Sequence, residues 1–301
     1  MNEDPLAAFR RFFTDDRHVA LTDALLTWSL RHCACDRGTP WHARSSFYSA
    51  TFAHHCAPPD ATWQEVSSSG KFLVVCFSID DGPRDELQLL TRQLTSGQPP
   101  RAGELGQLHQ ALLADLRAST ADTAHVERGL IAYCSAAAVE GTRGARRITP
   151  EQFHDTRRSL IAADGFIALW RSLRDLSVPH DEHVVDRVAE MAYLANDLAS
   201  LEKETRPGSQ DAPESNYILF TAARSGLTVQ EATTRAVDRY NALADTLARA
   251  EVGPLTTLLH AFVDGYLHTH LVLSGTRYPG AEQNLRRLRA ASRPVDDPQA
   301  G

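Results

Sequence analysis

The sequence predicts an all-α fold. Three observations carry that prediction. Apolar residues recur at helical spacing in nine segments, no stretch sustains the apolar–polar alternation of a half-buried strand, and the breaks between segments are short and carry helix-capping chemistry.

The first segment, 18–33, sets Leu21, Ala24, Leu25, Trp28 and Leu30 along an apolar stripe. Pro58-Pro59-Asp60 precedes the second, 61–79, with Asp60 placed to cap it. The end of that segment, FLVVCFSI (72–79), is crowded with β-branched residues and Phe and would suit a buried strand. It is read as helix because 63–79 holds no strong breaker except Gly70. Helices are predicted next at 104–119, 121–139 and 149–174. The last of these opens on Thr149-Pro150-Glu151-Gln152, an N-cap followed by a first-turn Pro and an acid–amide pair. Val178-Pro179 separates it from a helix over 181–204. The polar run 206–213 is a loop leading to 212–225. Gly226-Leu227-Thr228 ends that helix and caps the next, 228–249, and 253–274 completes the set. No solenoid-length repeat occurs. One domain is expected over 1–293, with a disordered tail over 294–301.

Of the 301 residues 43% are hydrophobic, enough for a large core, and the formal charge of -7 argues against a nucleic-acid binder. Nothing approaches eighteen uninterrupted apolar residues, so no membrane span is expected. The opening MNEDPLAAFRRFF lacks the apolar core of a signal peptide. Cys33, Cys35, Cys56, Cys76 and Cys134 form no CxxC pair, and an odd number of thiols fits a reducing, cytoplasmic setting.

Two oxygen-rich patches stand out. In NDLASLEKE (196–204), Asn196, Ser200 and Glu204 fall at i, i+4 and i+8, which stacks a carboxamide, a hydroxyl and a carboxylate on one helix face. Far upstream, Asp80, Asp81 and Asp85 follow the most apolar stretch of the chain, around a Gly82-Pro83 break. Hard cations such as Mg²⁺ take such oxygen ligands and bridge phosphates, and two such patches on different helices can face each other across a bundle. Each patch alone has a plainer meaning, a solvated helix end or a polar helix face. Their joint occurrence in this order favours a metal site.

With these features in place, the chain resembles the class I terpene synthases of the bacterial and fungal single-domain kind. NDLASLEKE matches that family's second metal motif, Asn-Asp-Leu-x-Ser-x-x-Lys-Glu, at every defined position. Asp80-Asp81 with Asp85 resembles its aspartate-rich motif, at DDxxxD spacing where the family has DDxxD. Arg277-Tyr278 resembles its late Arg-Tyr pair. Phe153-x-x-x-Arg157-Arg158 resembles the Tyr-x-x-x-Arg segment of its pyrophosphate sensor, with Phe for Tyr, and Ala162 stands where a Gly often follows.

The resemblance implies a single helical bundle enclosing a central active-site cavity. It implies three Mg²⁺ ions, with Asp80 of the aspartate-rich group Asp80, Asp81 and Asp85 holding two, and Asn196, Ser200 and Glu204 holding the third. It implies that Arg157, Lys203, Arg277 and Tyr278 donate to the pyrophosphate of a linear prenyl diphosphate, farnesyl diphosphate first, with Arg158 the competing choice for the sensor. The product would be a cyclic terpene hydrocarbon or alcohol, and closure of loops near 206–213 and 277–280 would expel water. A helix break near the sensor falls at 161–164. A carbocation can be stabilised by aromatic faces, for which Phe72, Phe77, Phe153, Trp170, Tyr193 and Tyr266 are candidates, although each alone is more often a core residue. Phe77 leads because it lies one turn before Asp80, and Tyr193 has the same relation to Asn196.

Other features weigh less. His180-Asp181-Glu182-His183 is read as a solvated first turn, His268 and His270 as structural because residues two apart do not share a helix face, His54-His55 as uninformative, and Arg146-Arg147 as a surface pair. A chain-elongating prenyltransferase of the same fold would carry a second aspartate-rich motif, which Asn196, Ser200 and Glu204 replace, and a head-to-head synthase would need two DxxxD motifs. A silent isoprenoid-binding protein would not need the ligand sets intact. A homodimer stays open.

Overall fold

A computed structural model describes residues 4–33, 39–100, 103–119, 122–140, 148–176, 182–206 and 215–290. The expected tail at 294–301, most of the loop 206–213, Cys35, His180, Asp181 and Arg146-Arg147 lie outside them, as does the Glu182 side chain.

After a short 3-10 segment, Ala7–Phe12, thirteen α-helices and a second 3-10 segment, Leu273–Gly275, follow among the described residues, with no strand. These are α1 (Asp16–His32), α2 (Thr39–His55), α3 (Trp63–Asp80), α4 (Arg84–Thr95), α5 (Glu104–Ser119), α6 (Ala124–Val139) and α7 (Pro150–Leu160). Then come α8 (Ala163–Leu173), α9 (Glu182–Thr205), α10 (Tyr217–Ser225), α11 (Val229–Leu247), α12 (Pro254–Val272) and α13 (Ala281–Leu285). None is long and apolar enough to cross a membrane.

FLVVCFSI forms the buried end of α3 as predicted, and the helix starts on a reciprocal capping box in which Thr62 and Glu65 satisfy each other's backbone N–H groups. Thr62, not Asp60, is therefore the cap; Asp60 pairs with Arg174 instead. Thr149–Gln152 and Thr228–Glu231 form the same box at α7 and α11.

Three departures bear on the site. The predicted helix over 149–174 is two helices, because Ala162 takes a left-handed conformation (φ 54°) that turns α8 away from α7, at the break the resemblance implied. A non-glycine residue there costs about 1 kcal/mol. Helix α4 was not predicted; it restarts after the Gly82-Pro83 break with Pro83 as its N-cap. Helix α2 was not predicted either, since it buries Ser45, Ser46, Ser49 and Thr51 among its aromatic residues and so has no apolar period to detect.

Helix α9 runs through the middle of the bundle, packed by α7, α8, α10, α11, α12 and α13. Its stretch 191–195 is buried on every face. Helix α2 packs against α1, α3 and α12 and completes the wall opposite α9. At Gly265 of α12 a Cβ would sit 2.0 Å from the backbone oxygen of His55, so only glycine lets α12 approach the end of α2 this closely.

Candidate active site

Each patch found in the sequence reaches one cavity, of about 620 Å³, by its own helix. The buried helix α3 ends at its mouth and delivers Asp80 and Asp81. From the facing wall α9 delivers Asn196, Ser200, Lys203 and Glu204, and α7 delivers Arg157. The turn after α12 brings in Arg277 and Tyr278. The same cavity is also lined by apolar and aromatic side chains, Phe52, Leu73, Phe77 and Tyr266 among them.

Arg277 stands on the Asp80–Asp81 side of the rim. Its Nη2 donates to Asp80 Oδ2 at 3.1 Å, and its guanidinium carbon lies 5.0 Å from the Phe77 ring centre and 5.1 Å from that of Tyr48. Burial opposes its charge, but Tyr278, Asp80 and Asp81 more than offset this, so its pKa is raised. Burial likewise pushes the Asp81 carboxyl up, against the nearby Arg277.

On the other wall, Arg157 is held by a buried carboxylate. Its Nε donates to Asp197 Oδ1 at 2.9 Å, and its Nη2 donates to the same oxygen and, at 2.7 Å, to Asn196 Oδ1. Asp197 Oδ2 accepts the backbone N–H of Tyr217 at 2.6 Å. Burial pushes the Asp197 carboxyl up and the Arg157 guanidinium offsets part of that rise. Both partners are nearly inaccessible, so the pair is an orienting device whose rupture would leave a bare buried charge. Asn216, at the N-cap of α10, does a related job for Glu204. Its Oδ1 accepts from Ile218 N at 2.9 Å, while its Nδ2 donates to Asp197 O at 2.9 Å and to Glu204 Oε2 at 2.7 Å.

Of the residues proposed from sequence, Asp80, Asp81, Asn196, Ser200, Glu204, Arg157, Lys203, Arg277, Tyr278, Phe77 and Tyr266 line this cavity. Six others do not. Asp85 is exposed on the first turn of α4, beyond the Gly-Pro break. Phe72 points from α3 to Phe166 of α8, and Trp170 is enclosed in the core near Arg174. Phe153 stacks on Phe220 with ring centres 4.3 Å apart, on the far side of α9. Tyr193 hydrogen-bonds His154 there. Arg158 turns outward to Asp164 and Asp186, so of the two adjacent arginines Arg157 alone reaches the cavity.

Several residues that line the cavity or hold its side chains from behind escaped sequence reasoning. Tyr48 and Phe52 stand one turn apart on α2, the helix without a period. Glu140, at the C-cap of α6, lines the rim with its carboxyl pushed up by burial. Asp197 lay in plain view within NDLASLEKE, one residue off the stripe, and Asn216 had only its capping preference as a signal.

Carboxylate, carboxamide and hydroxyl oxygens facing one another across a rim, with no thiol at the ligand positions, fit a hard divalent cation. Among the described residues no three His, Cys, Asp or Glu side chains gather into a ready-made metal cage. Mg²⁺ needs none, because it is commonly held by one or two carboxylates together with water and substrate phosphates.

A family model described as terpene synthase family 2, C-terminal metal binding, matches residues 83–246, more than half of the chain. No curated protein matches the sequence. Among solved structures, the chain is similar to 2-methylisoborneol synthase from Streptomyces coelicolor A3(2), with 16% identity, a TM-score of 0.67, and coverage of 88% of this chain and 92% of that one. It is similar to linalool/nerolidol synthase from Streptomyces clavuligerus in complex with 2-fluorogeranyl diphosphate, with 20% identity, a TM-score of 0.64, and coverage of 87% and 95%. The SVS_A2 protein from ancestral sequence reconstruction matches at 18% identity and a TM-score of 0.66, covering 85% of each chain.

Proposed function

The chain belongs to terpene synthase family 2, and on that footing we propose that it is a Mg²⁺-dependent terpene cyclase that ionises a linear prenyl diphosphate, releasing pyrophosphate and converting the hydrocarbon to a cyclic terpene or terpene alcohol. Farnesyl diphosphate is the proposed substrate. The observation that carries this reading is the juxtaposition of two oxygen-donor patches with Arg157, Lys203 and Arg277 around one cavity that Phe52, Phe77 and Tyr266 also line. The crystallised complex of a structural relative with 2-fluorogeranyl diphosphate supports the ligand class.

Asp80 and Asp81 on one side, and Asn196, Ser200 and Glu204 on the other, would hold the ions, three in number. Bound magnesium supplies Lewis-acid and template chemistry at the departing pyrophosphate. Arg157, Lys203, Arg277 and Tyr278 donate hydrogen bonds to the phosphate oxygens as negative charge builds on them. Arg is suited to this because its planar fork grips two oxygens at once, while Lys adds a compact point charge. The Phe77 and Tyr266 faces stabilise positive charge on the hydrocarbon and exclude water from it.

The test is incubation of the protein with geranyl, farnesyl and geranylgeranyl diphosphates, with and without Mg²⁺, reading released pyrophosphate and headspace products by mass spectrometry. Cyclic products that need Mg²⁺ are expected, from farnesyl diphosphate above the others. A longer diphosphate on adding isopentenyl diphosphate, or binding with no turnover, would replace the reading.

A further inference from the structure

The two ends of a carboxamide have the same shape and opposite hydrogen-bonding character, so an Asn can serve as an oxygen ligand only if its surroundings decide which end faces the ion. At Asn196 the contacts decide it step by step. Arg157 Nη2 lies 2.7 Å from one end of the amide. A guanidinium has donors only, so that end is the oxygen. The nitrogen then faces His270 Nε2 at 3.2 Å and the Tyr278 hydroxyl at 3.4 Å. An amide N–H requires an acceptor, so Nε2 carries a lone pair. The ring proton is left on Nδ1, which lies 2.8 Å from the backbone carbonyl of Tyr266, a group that can only accept. Each step leaves one choice, and the choices agree from the Tyr266 carbonyl to Arg157.

The ring is also fixed in place. His270 is fully buried, with the rings of Tyr266, Tyr278 and Phe52 centred 4.6, 4.7 and 5.3 Å away. Its own carbonyl partner is one helical turn back on α12, so the imidazole is oriented by a rigid element.

We propose that His270 is a positioning residue: as its Nδ1–H tautomer it accepts from the Asn196 amide nitrogen and thereby presents Asn196 Oδ1 to the metal ion of the second motif. This rests on the reading of Asn196 as a magnesium ligand. Oδ1 has two lone pairs; Arg157 takes one and the other is left for the ion. Without the acceptor at position 270, Arg157 still marks the oxygen end, but the amide nitrogen keeps only the long Tyr278 contact and the plane of the amide, and with it the aim of Oδ1 at the ion, is no longer fixed.

Two experiments test this. The first is long-range ¹H–¹⁵N NMR of the metal-free whole protein at neutral pH, with His270→Gln used to assign the ring. A ring protonated on Nδ1 and bare on Nε2 is expected; an Nε2–H ring overturns the proposal. The second is thermal stabilisation by Mg²⁺ with inorganic pyrophosphate, measured beside steady-state kinetics. His270→Leu removes the acceptor, whereas His270→Gln restores one through its side-chain oxygen. Outer-shell partners typically change metal affinity about 10–100-fold. The Mg²⁺ concentration giving half-maximal stabilisation is expected to rise by that order in the Leu variant, with the kinetic loss in kcat and in Mg²⁺ activation, and to return most of the way in the Gln variant. Equal melting losses in both variants with an unchanged Mg²⁺ requirement would make His270 merely structural and overturn the proposal. If the wild type binds no Mg²⁺-pyrophosphate and turns over no prenyl diphosphate, the assignment of Asn196 as a ligand fails, and the tautomer measurement, which needs no metal, shows that failure apart from the other.

Discussion

Arg277 Nη2 lies 3.1 Å from Asp80 Oδ2 although 197 residues separate them in sequence. The contact joins the turn after α12 to the end of α3, and the same cavity rim carries Glu204 from α9. Two oxygen-rich patches that are remote in the chain thus line one cavity, which is the condition the proposed chemistry needs.

Asp80→Asn keeps the shape and removes the charge that faces both Arg277 and the cavity. Its kcat is expected to fall by about 100-fold or more, the scale of removing one preorganised electrostatic partner. Asp85→Asn, on the exposed first turn of α4, is expected to stay within about twofold of wild type, a change on the scale of an exposed charge. Steady-state rates of the two variants decide it; equal losses would move Asp85 into the site.

Arg157 and Arg158 separate in the same way. Arg157→Lys keeps the charge but loses the fork that spans Asp197 and Asn196, and kcat is expected to fall about 100-fold. Arg158→Ala breaks partly exposed pairs with Asp164 and Asp186, so about 1 kcal/mol of stability is at stake and the rate is expected to hold. Melting curves recorded beside the kinetics separate the two effects, and a rate loss in Arg158→Ala larger than in Arg157→Lys would reverse the assignment.

Asn216 has two jobs that one substitution can split. Asn216→Ser keeps a capping oxygen for α10 but is too short to reach Glu204. Stability is expected to fall by about 1–3 kcal/mol, because the buried bond to Asp197 O is lost as well, while the Mg²⁺ concentration for half-maximal activity rises about tenfold. An unchanged Mg²⁺ requirement would reduce Asn216 to a helix cap.

At the end of the bundle away from the rim, His18 stacks on His54, His55 meets His268 edge to face, and Asp15 pairs with His54. Burial and the His54 charge lower the His18 pKa from 6.5 to about 4; burial, His268 and His54 lower that of His55 to about 3. Above pH 6.5 these rings are neutral in both the folded and unfolded chain and contribute nothing. As pH falls below 6.5 the unfolded chain takes up protons that the folded one refuses, so stability drops until the folded rings protonate near pH 4 and below. For His18 the loss is on the order of 3 kcal/mol. Melting temperatures between pH 7 and 4 are expected to fall, and less steeply in His18→Gln; identical slopes would remove the cluster from the account.

How much of this was readable in one dimension follows from the range of the forces involved. Capping boxes, the stripe of Asn196, Ser200 and Glu204, and the apolar run into Asp80 are local patterns, and local patterns specify helices and the face each residue shares. They determined the all-helical class and the residue types at the rim. Helix α2 was invisible because its buried serines erase the period, and Tyr48 and Phe52 went with it.

Periodicity states which residues share a face, but not what stands opposite. Phe72 and Phe77 differ by about 140° around α3, and Arg157 and Arg158 by about 100° around α7. In each pair one side chain meets the cavity and the other a neighbouring helix or solvent. That choice was made by the tertiary structure alone, because it depends on partners from other helices, such as Phe166 against Phe72 and Asp197 against Arg157, which no local spacing encodes.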